Sequence, residues 1–240
     1  MGAAGDLALL RLLQLADSGF PSGAYTLSNG LETLVADGAI SDADDLATFV
    51  HVYLLAKFAR SDLISLLAAH DAGDERADTA SNDDQVERII AIDRRLTAAK
   101  IAADDRIGSA RVGRRLATEV ARLTPSRPLL GFLEAIEDRR TAGNAAVAFG
   151  LAGSAFGVER RPTALAASSA FVVGLGAAAV RLGLIGHGAA QQLVADAAPV
   201  IASAVDAAAC GHWSDLRPSA PQIEVALAAH ETAVARQFAS

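Results

Sequence analysis

This chain is short of aromatic residues, cysteine and lysine, and each shortage restricts what the protein can be. Aromatic residues make up only 5% of the 240 residues although 52% are hydrophobic, so the core must consist mainly of Ala, Leu, Val and Gly. A core of such small side chains favours closely packed helices over a sheet. The single cysteine, Cys210, excludes an internal disulfide framework and fits a reducing compartment.

Clustered positive charge is also missing from the sequence. Lysine occurs only at Lys57 and Lys100, and the net charge is -7 at pH 7. Because contact with phosphates requires clustered Lys and Arg, we expect no nucleic-acid partner. Residues 1–6 lack the basic segment of a secretory signal, and Arg11 interrupts the apolar stretch that follows, so a cytoplasmic protein is expected.

Two long runs, 141–158 and 162–180, carry no charged residue and approach the ~20 residues that a membrane span requires. Both runs are rich in Ala, Gly and Ser rather than in Leu, Ile and Phe, and charged residues flank them closely. We therefore interpret them as buried helices of a globular protein and expect no membrane partner. The alternative is a small membrane protein in which the two runs are membrane spans.

Apolar residues recur at helical spacing over almost the whole chain, which predicts an all-α fold. Length and composition fit one domain over residues 1–240, a single bundle of roughly eight to ten helices. Asp6 and either Ser28 or Asn29 are the predicted N-caps of the first two helices. Later helices are expected at 41–70, 86–123 with or without a break, 129–139, 141–158, 162–180, 191–209 and 223–238.

The segment 211–221 is predicted to be a connector, because Pro218 and Pro221 interrupt any regular structure there. A mobile connector would let the final helix, 223–238, detach from the bundle. Arg236 and Phe238 lie near the end of that helix, which suits insertion into a groove of a partner. Docking of the same helix on its own chain is the alternative.

The sequence contains no arrangement of residues typical of a catalytic or metal site. The five histidines are dispersed, with neither an H-x-x-x-H nor a C-x-x-C pair, so no dedicated metal site and no cofactor are expected. Cys210 and His212 form an isolated Cys-x-His pair, which we interpret as ordinary connector residues; a metal shared across a dimer interface is the alternative.

Other features that resemble active-site motifs have structural explanations. No G-x-S-x-G elbow is present, so no catalytic nucleophile is assigned. The glycine pairs 150/153 and 174/176 lack the Gly-Lys-Ser/Thr of a phosphate loop and are expected to serve helix packing. Carboxylates such as Asp104 and Asp105 are interpreted as helix-start or solvent-facing groups. These absences predict a binding or scaffolding protein rather than an enzyme.

Three blocks of sequence stand out from the helical background. Residues 17–32 read D-S-G-F-P-S-G-A-Y-T-L-S-N-G-L-E, a Gly/Pro-punctuated link that carries two aromatic rings. Residues 178–182 read A-A-V-R-L and are followed by Gly186-His187 and by Gln191-Gln192. The last block begins with His230-Glu231 and ends in R-Q-F-A-S at residues 236–240. Together the three blocks resemble the UreF family, accessory proteins that help to load nickel into urease.

This resemblance implies a dimeric, all-helical accessory protein without enzymatic activity. It would bridge UreD (also called UreH) and the GTPase UreG, and the assembly would dock on apo-urease to deliver nickel. Asn144 stands where many members have His, His187 where many have Gln, and Gln237 where many have Leu. The residues implied in partner binding are Phe20, Pro21, Gly23, Tyr25, Ser28, Gly30, Glu32, Arg181, His230, Glu231, Arg236, Phe238 and Ser240.

Several of these residues have a structural role as an alternative. Phe20 and Tyr25 are either surface anchors for a partner or seals of the local core. Arg181 is expected to form a structural salt bridge with a buried carboxylate such as Glu32, in preference to a partner contact. The alternative function is regulation of GTP hydrolysis by UreG, with Arg181 or Arg236 acting as an arginine finger.

Overall fold

The computed structural model describes residues 3–74, 82–233 and 236–239, and helices dominate these ranges. The all-α prediction is confirmed, since eleven α-helices and no strand are present there, one helix above the expected range. A π-helical segment, Tyr53–Phe58, and two short 3-10 turns, Ala24–Thr26 and Trp213–Asp215, complete the regular structure. The α-helices are α1 Ala3–Ala16, α2 Leu31–Ala36, α3 Ala43–Val52, α4 Asp62–Ala72, α5 Asn82–Ala99, α6 Ala103–Leu123, α7 Arg127–Glu137, α8 Ala145–Ala155, α9 Arg160–Arg181, α10 His187–Ala209 and α11 Pro221–His230.

The predicted starts of the first two helices are wrong. α1 begins at Ala3, so Asp6 lies in its first turn instead of capping it. α2 is preceded by Gly30, not by Ser28 or Asn29, and Gly30 lies in the left-handed region (φ 85°), which glycine adopts easily. The start of α3 is as expected, because the side chain of Asp42 accepts hydrogen bonds from two backbone N–H groups of the first turn.

Two long predicted helices are interrupted in the structure. The 41–70 range divides into α3, the π-helical segment and α4, with a turn at 59–61 between the last two. The 86–123 range divides into α5 and α6 on either side of Lys100 and Ile101. Arg106 donates to the carbonyl oxygens of both residues and so satisfies backbone groups that the break leaves free.

The core is built around α8, which packs on α4, α6 and α9. Its glycines permit these close approaches, because a Cβ atom at Gly150 would clash with the carbonyl oxygen of Leu66 on α4. A Cβ atom at Gly153 would likewise clash with Thr163 on α9. The prediction that this glycine pair serves helix packing is confirmed.

Two helices, α9 and α10, are long and apolar enough to cross a membrane by length and composition, with mean hydropathies of 1.8 and 1.2. α9 contains the predicted run 162–180, whereas the run 141–158 folds largely into the shorter helix α8. Half of the apolar window of α9 is buried against the rest of the fold, where α9 packs on α1, α4, α8 and α10. This burial is typical of the core helix of a globular protein.

Both lysines of the chain lie inside the bundle, with Lys57 only 1% exposed and Lys100 6% exposed. The ammonium of Lys100 lies 3.0 Å from Asp62 Oδ1 and 3.0 Å from Asp105 Oδ1. The ammonium of Lys57 lies 3.1 Å from Asp105 Oδ2 and pairs with the carboxylate of Glu224. We call these five side chains the buried ion cluster. They connect the π-helical segment, α4, the α5–α6 break, α6 and α11.

Mutual pairing keeps the cluster ionised. Burial alone would lower the pKa of Lys100, but the carboxylates of Asp105 and Asp62 outweigh it and raise that pKa above its usual value. Burial alone would raise the pKa of Asp105, but Lys100 and Lys57 outweigh it and leave that pKa lowered. Asp105 lies in the first turn of α6, as expected, but the expectation that it faces solvent is wrong, because α6 turns this side chain inward onto both lysines.

Replacement of Lys100 by methionine tests the buried ion cluster. Lys100→Met leaves Asp62 and Asp105 with one fewer buried cation, so we expect a loss of about 3–5 kcal/mol in the free energy of unfolding, measured with urea. The control Arg122→Met removes an exposed charge that pairs with Glu119, and should change stability by less than about 1 kcal/mol. Equal stabilities of the two variants would contradict the structural role of the cluster.

The dependence of the free energy of unfolding on pH, in the acid range, provides a second test. Because the pKa of Asp105 is lowered in the folded state, its carboxylate stabilises the fold above the unfolded value of about 4, and this stabilisation is lost as the pH falls through the folded pKa. Asp105→Asn should be less stable than the wild type at pH 7. Its free energy of unfolding should also depend less on pH between about 2 and 5. Parallel pH profiles would show that Asp105 does not carry this dependence.

Candidate partner-binding site

The three sequence blocks meet at one corner of the bundle. The end of α9, the end of α11 and the segment 236–239 lie against the link that follows α1, and the N–H of Ala239 donates to the carbonyl oxygen of Thr26 at 2.8 Å. We call this site the signature corner. Its side chains are those of Tyr25, Thr26, Glu32, Asp104, Arg181, His230, Glu231, Arg236 and Phe238.

Local hydrogen bonds and glycines shape the link between α1 and α2. Asp17 Oδ1 accepts a hydrogen bond from the N–H of Gly19 at 2.6 Å, which closes the first turn. Gly23 has a φ of 78° and leaves room for the side chain of Arg115. Gly30 lies against Leu227 of α11, so the link is fixed to the C-terminal helix. Its geometry is therefore set by the surrounding bundle.

The two aromatic rings of the link have different surroundings. Phe20 is buried in the main core and acts as a seal. Tyr25 is 62% exposed and projects from the 3-10 turn. Of the other predicted residues on the link, Pro21 is exposed, whereas Gly23 and Ser28 are buried. Only Tyr25 thus offers a large exposed ring to a partner.

Glu32 connects α2 to the C-terminal end of the chain. Its carboxylate accepts hydrogen bonds from the N–H of Gln237 at 2.6 Å and from the N–H of Phe238 at 3.1 Å. The predicted salt bridge between Glu32 and Arg181 is wrong. The guanidinium of Arg181 instead lies 4.3 Å from the centre of the Phe238 ring, a cation–π contact. The carboxylate of Glu32 instead meets His230 of α11 and the backbone N–H groups of Gln237 and Phe238, which take the place of Arg181 as its partners.

His230 lies between two carboxylates and is 1% exposed. Its Nδ1 is 2.9 Å from Asp104 Oδ2, and its Nε2 is 3.1 Å from Glu32 Oε2. Each of the two carboxylates thus faces one ring nitrogen at hydrogen-bond distance. Arg236 adds a guanidinium 3.3 Å from Asp104 Oδ2. The charges of the corner are therefore paired within the chain.

The neighbouring Glu231 has a different role from that of His230. Its Oε1 accepts a hydrogen bond from the N–H of Ala103 at 2.6 Å, at the start of α6. A carboxylate at this position satisfies a free backbone donor and complements the helix dipole. Glu231 thus connects the end of α11 to the start of α6.

The predicted final helix, 223–238, is too long. α11 ends at His230, and residues 236–239 are not helical. Arg236 and Phe238 consequently belong to a non-helical segment that docks on its own chain. Ser240 lies outside the described residues. The rest of the predicted set is brought together at the corner or on the link beside it.

Three residues of the corner and its surroundings were not predicted from the sequence. Asp104 looked like an ordinary helix-start carboxylate, but it accepts from His230 and Arg236. Arg111 of α6 donates to Thr26 Oγ1 at 2.8 Å and, with Arg115, places positive charge beside Tyr25. The available signal was the Arg-rich sequence of α6, which helical periodicity alone does not assign to a partner element.

The described part of the chain contains no group of three or more His, Cys, Asp or Glu side chains arranged to hold a metal ion. Cys210 is exposed at the end of α10, and His212 Nδ1 pairs with Ser214 Oγ at 2.8 Å. These are contacts of connector residues. The chemistry available at the signature corner is hydrogen bonding, charge pairing and ring contact, which suits recognition of another protein.

Comparison with known proteins gives a consistent result. The family model for UreF matches residues 40–198. The urease accessory protein UreF of Bacillus sp. (strain TB-90) is 28% identical, over 97% of this chain and 99% of that protein. The urease accessory protein UreF 1 of Brucella melitensis biotype 1 is 30% identical, over 96% and 92%. The urease accessory protein UreF of Lachnoclostridium phytofermentans is 30% identical, over 98% and 100%.

Substitution of Glu32 tests how residues 236–239 are held. Glu32→Gln removes the charged acceptor for two backbone N–H groups, and hydrogen bonds to charged groups contribute about 1.5–3 kcal/mol each. The amide hydrogens of Gln237 and Phe238 should then exchange at least about tenfold faster. Glu87→Gln, at an exposed residue that pairs with Arg140, is the matched control and should leave both rates unchanged. Equal exchange in all three proteins would show that Glu32 does not hold this segment.

Proposed function

The chain belongs to the UreF family of urease accessory proteins, and we propose that it acts in urease maturation as a scaffold that bridges UreD (UreH) and UreG. The assembly would dock on apo-urease and support nickel insertion. Family membership makes the protein an accessory factor rather than an enzyme. The match extends over nearly the full length of the relatives, so the proposal concerns the whole protein.

The observation that carries this proposal is the convergence of the link 17–32, the end of α9 and residues 236–239 on one corner, where the ring of Tyr25 is exposed. Tyr25 stands on a turn whose Thr26 accepts one hydrogen bond from the side chain of Arg111 and another from the N–H of Ala239. A ring fixed in this way loses little entropy when a partner covers it. We therefore place the first partner contact at Tyr25.

The C-terminal residues extend the same surface. α11 is anchored in the bundle through Glu224 and His230, whereas residues 236–239 are held mainly by Glu32, Arg181 and Thr26. A partner can engage this segment while α11 stays in place. The hydrogen bond between Ala239 and Thr26 makes the segment continuous with the Tyr25 turn, so we assign both to the UreD contact.

Self-association is also part of the proposal. Leu7, Leu10 and Leu13 of α1 recur at helical spacing, and each exposes about half of its side chain or more. A row of exposed leucines on one helix supports a homodimer with α1 at or near the interface. The single cysteine, exposed and unpaired, supports a cytoplasmic location.

The alternative function, control of GTP hydrolysis through an arginine contact, receives less support from the geometry. The guanidinium of Arg181 lies against the Phe238 ring, and Arg236 pairs with Asp104. Each guanidinium thus has a partner within the chain, with which a nucleotide would compete.

Replacement of Tyr25 tests the proposed surface. When the chain is co-expressed with the UreD-like and UreG-like proteins of its host, the wild type should co-purify with both, and light scattering should give a two-by-two complex with UreD. Tyr25→Ala removes a central ring, so its affinity for UreD should fall by about tenfold or more. The matched control is Leu130→Ala, at an exposed apolar residue on α7.

The outcomes distinguish a wrong assignment of the interface from a wrong assignment of the function. Undiminished capture of UreD by Tyr25→Ala would exclude the turn from the interface but leave the scaffold role standing. A wild-type monomer that binds neither protein would contradict the scaffold role itself.

A further inference from the structure

A cavity of about 220 Å³ lies beside the link, between α1, α6, α8 and α9. Its walls are largely apolar and include Leu15, Val112, Leu116, Phe149 and Phe171. The same cavity reaches part of the buried ion cluster, because Asp62, Lys100 and Asp105 also line it. Further polar residues on the lining, such as Ser18 and Asn29, belong to the link. A largely apolar space with a limited number of polar groups has the composition of a small-molecule site.

The cavity is lined by a hydroxyl group that donates no hydrogen bond within the described chain. Tyr53 lines the cavity, is 3% exposed, and its hydroxyl has no hydrogen-bond partner among residues 3–74, 82–233 and 236–239. Burial raises the pKa of Tyr53 well above its usual value, and the carboxylates of Asp105, Asp62 and Glu224 raise it further, so the hydroxyl keeps its proton. Tyr53 is therefore a buried donor that faces no acceptor of the described chain.

Ser109 provides a second donor in the same cavity. Its Oγ accepts a hydrogen bond from the N–H of Ala145 at 3.2 Å, and its own hydrogen has no acceptor in the described ranges. A donor that stays unused inside a protein costs free energy, so the Tyr53 hydroxyl, with the remaining hydrogen of Ser109 on the same lining, favours a ligand oxygen that accepts from them.

The charges around the cavity disfavour an ionic ligand. Lys100 already donates to Asp62 and Asp105, so a ligand cation would face an ammonium beside carboxylates that are engaged. A ligand anion would face those two carboxylates, with Asp17 also on the lining. The desolvation of an unpaired charge adds to both costs. An uncharged acceptor meets neither penalty.

Gly174 supplies an independent observation. It lies in the interior of α9 and lines the cavity, and a Cβ atom there would meet nothing within 4 Å. Glycine is among the poorest helix formers, and no packing contact of the described chain requires it at this position. Gly150 and Gly153, by contrast, are required by close helix contacts. The open space beside Gly174 is therefore large enough to admit part of a bound molecule.

We propose that this cavity binds a small uncharged amphipathic molecule, whose apolar chain lies along α9 and whose carbonyl or hydroxyl oxygen accepts hydrogen bonds from Tyr53 and Ser109. This site adjoins the signature corner, because Tyr25 also lines the cavity, but it does not depend on the scaffold role.

Three probes of equal chain length test the assignment: hexanamide, hexanoate and hexylammonium. Titrations of the full chain followed by saturation-transfer NMR should show saturable binding of hexanamide. The two ions should bind at least about tenfold more weakly, because each places a charge beside the buried ion cluster. Absence of binding by all three probes, or equal binding of an ion, would overturn the proposal.

Variants locate the binding. Gly174→Leu fills the cavity and should abolish hexanamide binding, whereas Gly188→Leu, which adds the same side chain in the first turn of α10 where a Cβ atom also has free space, should not. Tyr53→Phe keeps the ring but loses the donor, so hexanamide should bind about fivefold more weakly. Circular dichroism and thermal unfolding check that each variant folds. Binding that persists in folded Gly174→Leu would place the probe elsewhere and refute the assignment.

Discussion

The structure depends on the pairing of its two lysines inside the bundle. Neither ammonium can be buried without carboxylates, because an unpaired charge in the interior costs several kcal/mol. Lys57 and Lys100 therefore require Asp62, Asp105 and Glu224 at fixed positions. Since these side chains come from five parts of the chain, the pairs fix the relative placement of those parts more specifically than the small apolar side chains of the core do.

The signature corner depends on that placement. Glu224 holds α11 to the π-helical segment, and α11 brings His230 between Glu32 and Asp104. Glu32 then binds the backbone of residues 237 and 238, and the Phe238 ring lies against the guanidinium of Arg181. Most charged groups of the corner satisfy one another, so the surface that we propose for a partner consists of the Tyr25 ring, the nearby arginines and a short non-helical segment.

The same ion cluster limits the chemistry of the neighbouring cavity. Lys100, Asp62 and Asp105, which line it, are already paired with one another, whereas the hydroxyl groups of Tyr53 and Ser109 donate to no residue of the described chain. Three side chains of the buried ion cluster, Asp62, Lys100 and Asp105, thus also form part of the candidate ligand site. The urease accessory role, in contrast, is proposed for the surface, where family membership and the exposed turn support it.

The sequence by itself determined the helical class, most helix positions, the packing role of Gly150 and Gly153, and the family, because each follows from local periodicity, small side chains or ordered motifs. It did not determine that Asp105 faces both lysines, that Glu32 binds His230 instead of Arg181, or that α11 stops at His230. Periodicity shows which face of a helix is apolar, but not which distant side chain meets its polar groups. Those contacts join residues up to 198 positions apart, so only the tertiary structure decided them.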